Sequence, residues 1–196
     1  MAINVNPGKA LSHIQTFTSS GTFLAPPEAT LAFVSIHSAQ GGGGGASAGR
    51  YSNNQNGGNG GVGIVASGWI RLNPNGGHAV TIGAGGAGGA GAPTTTSGQA
   101  GSSAGTTIFD GAMTVIGSGG GNGGTNAGGQ AAQGSAASAT GVTSLTTVSP
   151  SGALARVSSF ATQTTGAPTA ASGSSAGRYS SPAGTTGASG LVHIYI

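Results

Sequence analysis

The chain has 196 residues, 43 of them glycine, no cysteine, a net charge of +3 and only 4% charged residues, where ordinary soluble proteins carry about 25%. The acids are Glu28 and Asp110 alone, and His13, His37, His78 and His193 share no metal-ligand spacing; acid/base and metal chemistry need such groups in pairs or triads, so the expectation is a non-enzyme without cofactor or metal. Five bases in no stripe argue against nucleic acid, and no apolar run long enough to span a bilayer is present.

In chain order, residues 1–15 read as a short lead around Pro7-Gly8, without the charged and apolar regions of a signal peptide. Thr16–Pro27 reads as a strand or hairpin stopped by two prolines. Residues 30–38 are the clearest strand. Ala32, Val34 and Ile36 fall on one face and Leu31, Phe33 and His37 on the other, which predicts a central strand apolar on both sides. Gly63–Leu72 alternates in the same way, with Ile64, Ala66, Ile70 and Leu72 opposite Val65, Ser67, Trp69 and Arg71. Trp69 is expected to pack in the core. Asn73-Pro74-Asn75-Gly76 is a turn, and His78–Ile82 a short strand. Residues 106–109 and 112–116 flank Asp110-Gly111 and read as a hairpin. That accounts for Asp110, the one acid around which a Ser–His–Asp triad could form, although no G-x-S-x-G elbow is present. Residues around Pro150-Ser151-Gly152 suggest a further hairpin, and LVHIYI at 191–196 a strand paired into a sheet. No stretch has helical periodicity.

Three glycine blocks interrupt these strands, at 41–63, from 83 and at 117–129. Composition alone suggests flexible linkers, but the blocks carry a period. Gly83-Ala84-Gly85, Gly86-Ala87-Gly88 and Gly89-Ala90-Gly91 are successive triplets. A polyproline-II-type helix has three residues per turn, so its alanines share one edge and the other edges are bare backbone. Such helices can pack closely enough for interchain hydrogen bonds. Each bond contributes about 1 kcal/mol against about 1–2 kcal/mol of backbone ordering per residue, so strands must anchor both ends. Collagen does not fit the short period and the eight prolines. Nucleotide binding does not fit either, because no helix pattern follows the G-x-G-G-x-G string and no GK[ST] occurs.

Several strings occur in order: FTSSGTFLAP at 17–26, LAFVSIHSAQGGGGG at 31–45, VTIGAGGAGG at 80–89, TTIFDGAMTVIGSGGGNGG at 106–124 and GLVHIYI at 190–196. Together they resemble the glycine-rich domain of bacteriophage tail-fibre tips and minor tail proteins. Residues 125–175 depart from that pattern, with Ser, Thr and Ala in place of Gly. The resemblance implies an all-β fold: a small β-sandwich-like frame with packed glycine-rich polyproline-II-type helices, long loops and no significant α-helix. It implies an N-terminal lead or attachment segment at 1–16 and one glycine-rich β domain at 17–196, with 125–175 an insertion or exposed hairpin. It implies a virion tail protein, assembled in the host cytoplasm, whose partners are other tail proteins and a bacterial surface polysaccharide or outer-surface protein. A homotrimer is an expected assembly, and membrane insertion is not. A capsid decoration or head-fibre protein is the alternative within virions. An ice-binding polyglycine protein is the alternative from another class, hinted at by Thr94-Thr95-Thr96.

The hexapeptide SAGRYS occurs twice, at 47–52 and 175–180. Each copy sets an arginine beside a tyrosine. Arg50, Tyr51, Arg178 and Tyr179 are therefore the candidate glycan contacts, since a ring can stack on a sugar and a guanidinium can hold hydroxyls or acidic groups. The alternative is that the tyrosines pack on glycine and the arginines confer solubility.

Overall fold

The computed structural model describes residues 12–47, 56–92, 96–124, 132–141, 144–147 and 182–196. It is all-β, with two antiparallel sheets and no helix among the described residues. The strands are β1 (His13–Phe17), β2 (Gly21–Leu24), β3 (Leu31–His37), β4 (Ile64–Arg71), β5 (Gly77–Thr81), β6 (Thr107–Phe109), β7 (Met113–Ile116), β8 (Ser138–Thr140), β9 (Ser144–Thr147) and β10 (Leu191–Tyr195). The first sheet has the order β1-β10-β3-β4-β9 and the second β2-β5-β6-β7-β8.

β3 is the central strand that its two apolar faces predict, with β10 on one side and β4 on the other. The strand at the end of the sequence is likewise paired on both sides. Alternation sends Val34, Ile36, Ile64, Ala66, Val192 and Ile194 from the first sheet into one buried cluster, where they meet Phe23, Val80, Phe109, Met113 and Val115 from the second. The Asp110-Gly111 turn closes the β6–β7 hairpin, with Asp110 (φ 50°) and Gly111 (φ 67°) both left-handed. At 73–76 the Gly76 amide donates to the Asn73 carbonyl at 2.8 Å, with Asn75 left-handed (φ 57°).

Three expectations need correction. Thr16–Pro27 is not a hairpin: β1 pairs with β10 in one sheet and β2 with β5 in the other. Phe17 and Phe23 can enter the same core from different sheets, so local alternation does not reveal the crossing at 18–20. Trp69 is not a core residue; it is 43% exposed on the outer face of β4. The stretch 1–16 is not wholly a lead, because His13–Thr16 belong to β1. Within 125–175, the described residues include β8 and β9, which form one edge of each sheet. The second arm of the hairpin expected around Pro150 lies outside the described residues.

Between the strands run glycine-rich segments at 40–47, 57–63, 83–92, 96–105, 117–124, 132–137 and 182–190. They are bonded to one another through backbone groups, and the bonds recur every third residue. The amides of Gln40, Gly43 and Ala46 donate to the carbonyls of Ala188, Thr185 and Pro182. The amides of Gly86, Gly89 and Ala92 donate to the carbonyls of Gln40, Gly43 and Ala46, and those of Gly121 and Gly124 to Gly42 and Gly45. The amides of Gly42 and Gly45 donate to Ser102 and Gln99, and that of Gly44 to Gly58. Segment 40–47 is thus surrounded by 57–63, 83–92, 96–105, 117–124 and 182–190, and every one of its residues is buried.

Burial follows the same period. In 83–92 the alanines at 84, 87 and 90 are exposed while Gly83, Gly86 and Gly89 are buried. Central segment 41–45 is all glycine, whereas outer segment 182–190 turns only Gly184, Gly187 and Gly190 inward and places Ala, Thr and Ser outward. Glycine content therefore tracks how many edges of a segment face a neighbour. A Cβ on Gly44 would collide with the carbonyl of Asn122. Gly44→Ala is expected to destabilise the fold by about 1–3 kcal/mol or more, and Ala87→Ser, on an exposed edge, by under about 0.5 kcal/mol; denaturant unfolding measures both.

Candidate functional site

The four residues singled out from the sequence, Arg50, Tyr51, Arg178 and Tyr179, lie outside the described residues. Their described chain neighbours are close together. Ala46, just before the first SAGRYS copy, donates its amide to the carbonyl of Pro182, which follows the second copy, at 3.1 Å. This pair is at the end of the bundle opposite the sheets, since 40–47 leaves β3 at its start and 182–190 enters β10 at its end. The links from 47 to 56, from 92 to 96 and from 124 to 132 all join segment ends on that same side.

The outer face of the first sheet carries an aromatic row. Tyr195, Phe33 and Trp69 are directly opposite one another across β10, β3 and β4. Phe33 meets Trp69 edge-on, with centroids 5.4 Å apart, and Tyr195 at 6.3 Å. Arg71, exposed, follows Trp69 on the same face. Nearer the bundle, the imidazoles of His37 and His193 are edge-to-face at 5.4 Å, and the Nδ1 atom of His193 is 2.9 Å from the hydroxyl of Thr16. His37 is 3% exposed and its Nδ1 has no hydrogen-bond partner among the described residues. Burial, and secondarily the nearby His193, lowers its pKa from 6.5 to about 4. The alternating pattern of β3 and β10 puts both histidines on one face, but their contact depends on register, which the sequence does not display.

Asp110 does meet a histidine. Nδ1 of His78 is 2.7 Å from the Asp110 carboxylate, and Nε2 accepts the Asn73 amide at 3.2 Å. The accepting Nε2 must be unprotonated, so the proton is on Nδ1 and is donated to Asp110. The imidazole is buried and lies near the rings of Phe23 and Phe109. A catalytic histidine needs its far nitrogen free to take a proton from a nucleophile; here a backbone amide holds it. The pair instead ties the 73–76 turn to the β6–β7 turn. No signal in the sequence links position 78 to position 110, because the contact crosses β5 and β6. No group of three His, Asp or Glu residues that could hold a metal occurs among the described residues.

The His37 site predicts a pH dependence. Folded His37 takes up a proton only below about pH 4, whereas the unfolded chain does so near 6.5. The unfolded state binds more protons between those values, so stability falls as pH is lowered from about 6.5 to about 4. The loss attributable to this group is at most on the order of 3 kcal/mol. Denaturant melts across that range should show the decline, and His37→Phe should flatten it.

Comparison with known proteins adds no family: no protein-family model matches the chain, and no curated protein matches it.

Proposed function

We propose that this chain is a non-catalytic bacteriophage tail protein, of the tail tip, tail fibre or minor tail type, that forms a rigid mount for loops touching the host surface. In this reading the glycine segments are polyproline-II-type helices packed side by side on a β-sandwich-like frame. The observation that carries it is the three-residue recurrence of backbone bonds between segments, matched by the three-residue burial of 83–92. A helix with three residues per turn returns the same edge to the same neighbour at each turn, which is what this recurrence requires. The single buried cluster fed by both sheets supports the sandwich-like frame.

The frame suits a display role. The strands lie at one end of the bundle, and the described segment ends at 47, 56, 92, 96, 124 and 132 lie toward the other. Both SAGRYS copies adjoin the bonded pair Ala46 and Pro182, so Arg50, Tyr51, Arg178 and Tyr179 are proposed to share one contact area. Stacking tyrosines and bidentate guanidinium groups suit a polysaccharide with acidic or clustered hydroxyl groups. Binding would be stronger if several copies act together, as in the proposed homotrimer attached to other tail proteins.

Purified, fluorescently labelled protein applied to panels of bacterial cells and extracted polysaccharides tests the reading. Saturable binding to particular strains is expected, with Arg50→Ala/Arg178→Ala weakening it by about tenfold or more, equivalent to about 1.4 kcal/mol. Folded protein that binds no strain would contradict the contact role. Unchanged binding by the double variant would remove these residues from it.

A further inference from the structure

Among the described residues, the bundle has edges whose backbone groups make no hydrogen bond. In segment 96–105, the backbone groups of Ala100 and Ser103 make no hydrogen bond to other described residues, while Gly98, Gly101 and Ala104 on the inward edge donate to 117–124. In 182–190 the outward residues Ala183, Thr186 and Ser189 contrast in the same way with Gly184, Gly187 and Gly190, whose amides are all bonded to 83–92. An array of unpaired backbone donors and acceptors on an outer segment is equivalent to the edge of a β-sheet, which invites pairing with another chain. The described segments carry no charge to oppose it, because Glu28, Arg71 and Asp110 are the only Asp, Glu, Lys or Arg among the described residues and none lies in a glycine-rich segment.

Side chains occupy these open edges. Every exposed position in the segments carries a Cβ, except Gly105 beside β6. Inside the bundle, by contrast, a Cβ would strike a neighbouring backbone: at Gly42 the carbonyl of Ala87, at Gly101 that of Gly42, at Gly134 that of Gly119. The distance at which two segments bond therefore leaves no room for a methyl group between them. A second bundle approaching the Ala84, Ala87 and Ala90 edge would meet three methyl groups in a row. At that edge the carbonyls of Ala84, Ala87 and Ala90 accept the amides of Gly105, Ser102 and Gln99, and the Ala87 amide donates to the Ser102 hydroxyl at 2.7 Å, so the donors left open toward a second bundle are the Ala84 and Ala90 amides, which bond to no other described residue.

We infer that the outward rows of Ala, Ser and Thr cap the hydrogen-bonding lattice, so that bundles of different copies do not fuse through their glycine segments. The methyl groups act by size alone, and the rows hold whatever the chain binds. Oligomers of this protein then form through its sheets or loops and leave the bundle surface free.

The test is to remove the methyl groups. Ala84→Gly/Ala87→Gly/Ala90→Gly should self-associate beyond the parent, with a weight-average sedimentation coefficient that climbs with concentration. Ala84→Ser/Ala87→Ser/Ala90→Ser, which keeps each Cβ, should sediment as the parent does. Since each glycine for alanine loosens regular structure, Ala100→Gly/Ser103→Gly opens a second edge with fewer changes, and far-ultraviolet circular dichroism checks the fold of each variant. Folded glycine variants that sediment as the parent at every concentration would overturn the inference, as would equal association by the serine variant.

Discussion

Two backbones can exchange hydrogen bonds side by side, outside a sheet, only if no side chain stands between them. In this protein that condition governs the arrangement of everything else. Segment 40–47 bonds to neighbours all round and is glycine at every position from 41 to 45. Segments with fewer neighbours keep glycine on fewer edges. The bonds themselves do not stabilise much: each contributes about 0.5–1.5 kcal/mol net, while ordering a residue costs about 1–2 kcal/mol and glycine loses the most freedom. A free bundle of such segments would not hold together.

The sheets supply what the bundle lacks. Segment 40–47 starts on β3 and 57–63 ends on β4, its neighbour in the first sheet. Segments 83–92 and 96–105 join β5 to β6, and 117–124 and 132–137 join β7 to β8, again neighbours. Each of these three excursions therefore leaves and returns on adjacent strands, which fixes its two feet near the spacing at which paired segments bond; segment 182–190 instead leads into β10, which is not next to β9. The common apolar cluster holds the two sheets in register, and His78 with Asp110 ties two of the turns. Ser118 makes the transition from strand to bundle continuous: its hydroxyl accepts the Gly41 amide and donates to the Gly61 carbonyl.

Strand positions could be read from alternation, because one residue in two must face the core: β3, β4 and the β6–β7 hairpin follow directly from Ala32-Val34-Ile36, Ile64-Ala66-Ile70 and Asp110-Gly111. The triplets at 83–91 were equally plain. Segments 96–105 and 132–137 were not, since an outer segment needs glycine on a single edge and its composition then resembles a loop. In 182–190 the spacing of Gly184, Gly187 and Gly190 did carry the signal. Partition of strands between sheets, the contact of His37 with His193 and the exposure of Trp69 depend on what crosses from elsewhere in the chain, and no local pattern encodes that. Arg50, Tyr51, Arg178 and Tyr179 could be picked out only by their repetition.

Amide hydrogen exchange, resolved by residue, tests the central claim most directly. If the segments are bonded as a three-residue lattice, the amides of Gly42, Gly43, Gly44 and Gly45 exchange slowly, close to the rate set by global unfolding. Along 83–92, protection then recurs at Gly86, Gly89 and Ala92, with fast exchange at Ala84 and Ala90. Uniformly fast exchange through 41–45 and 83–92, in protein whose β3, β4 and β10 amides are protected, would contradict it.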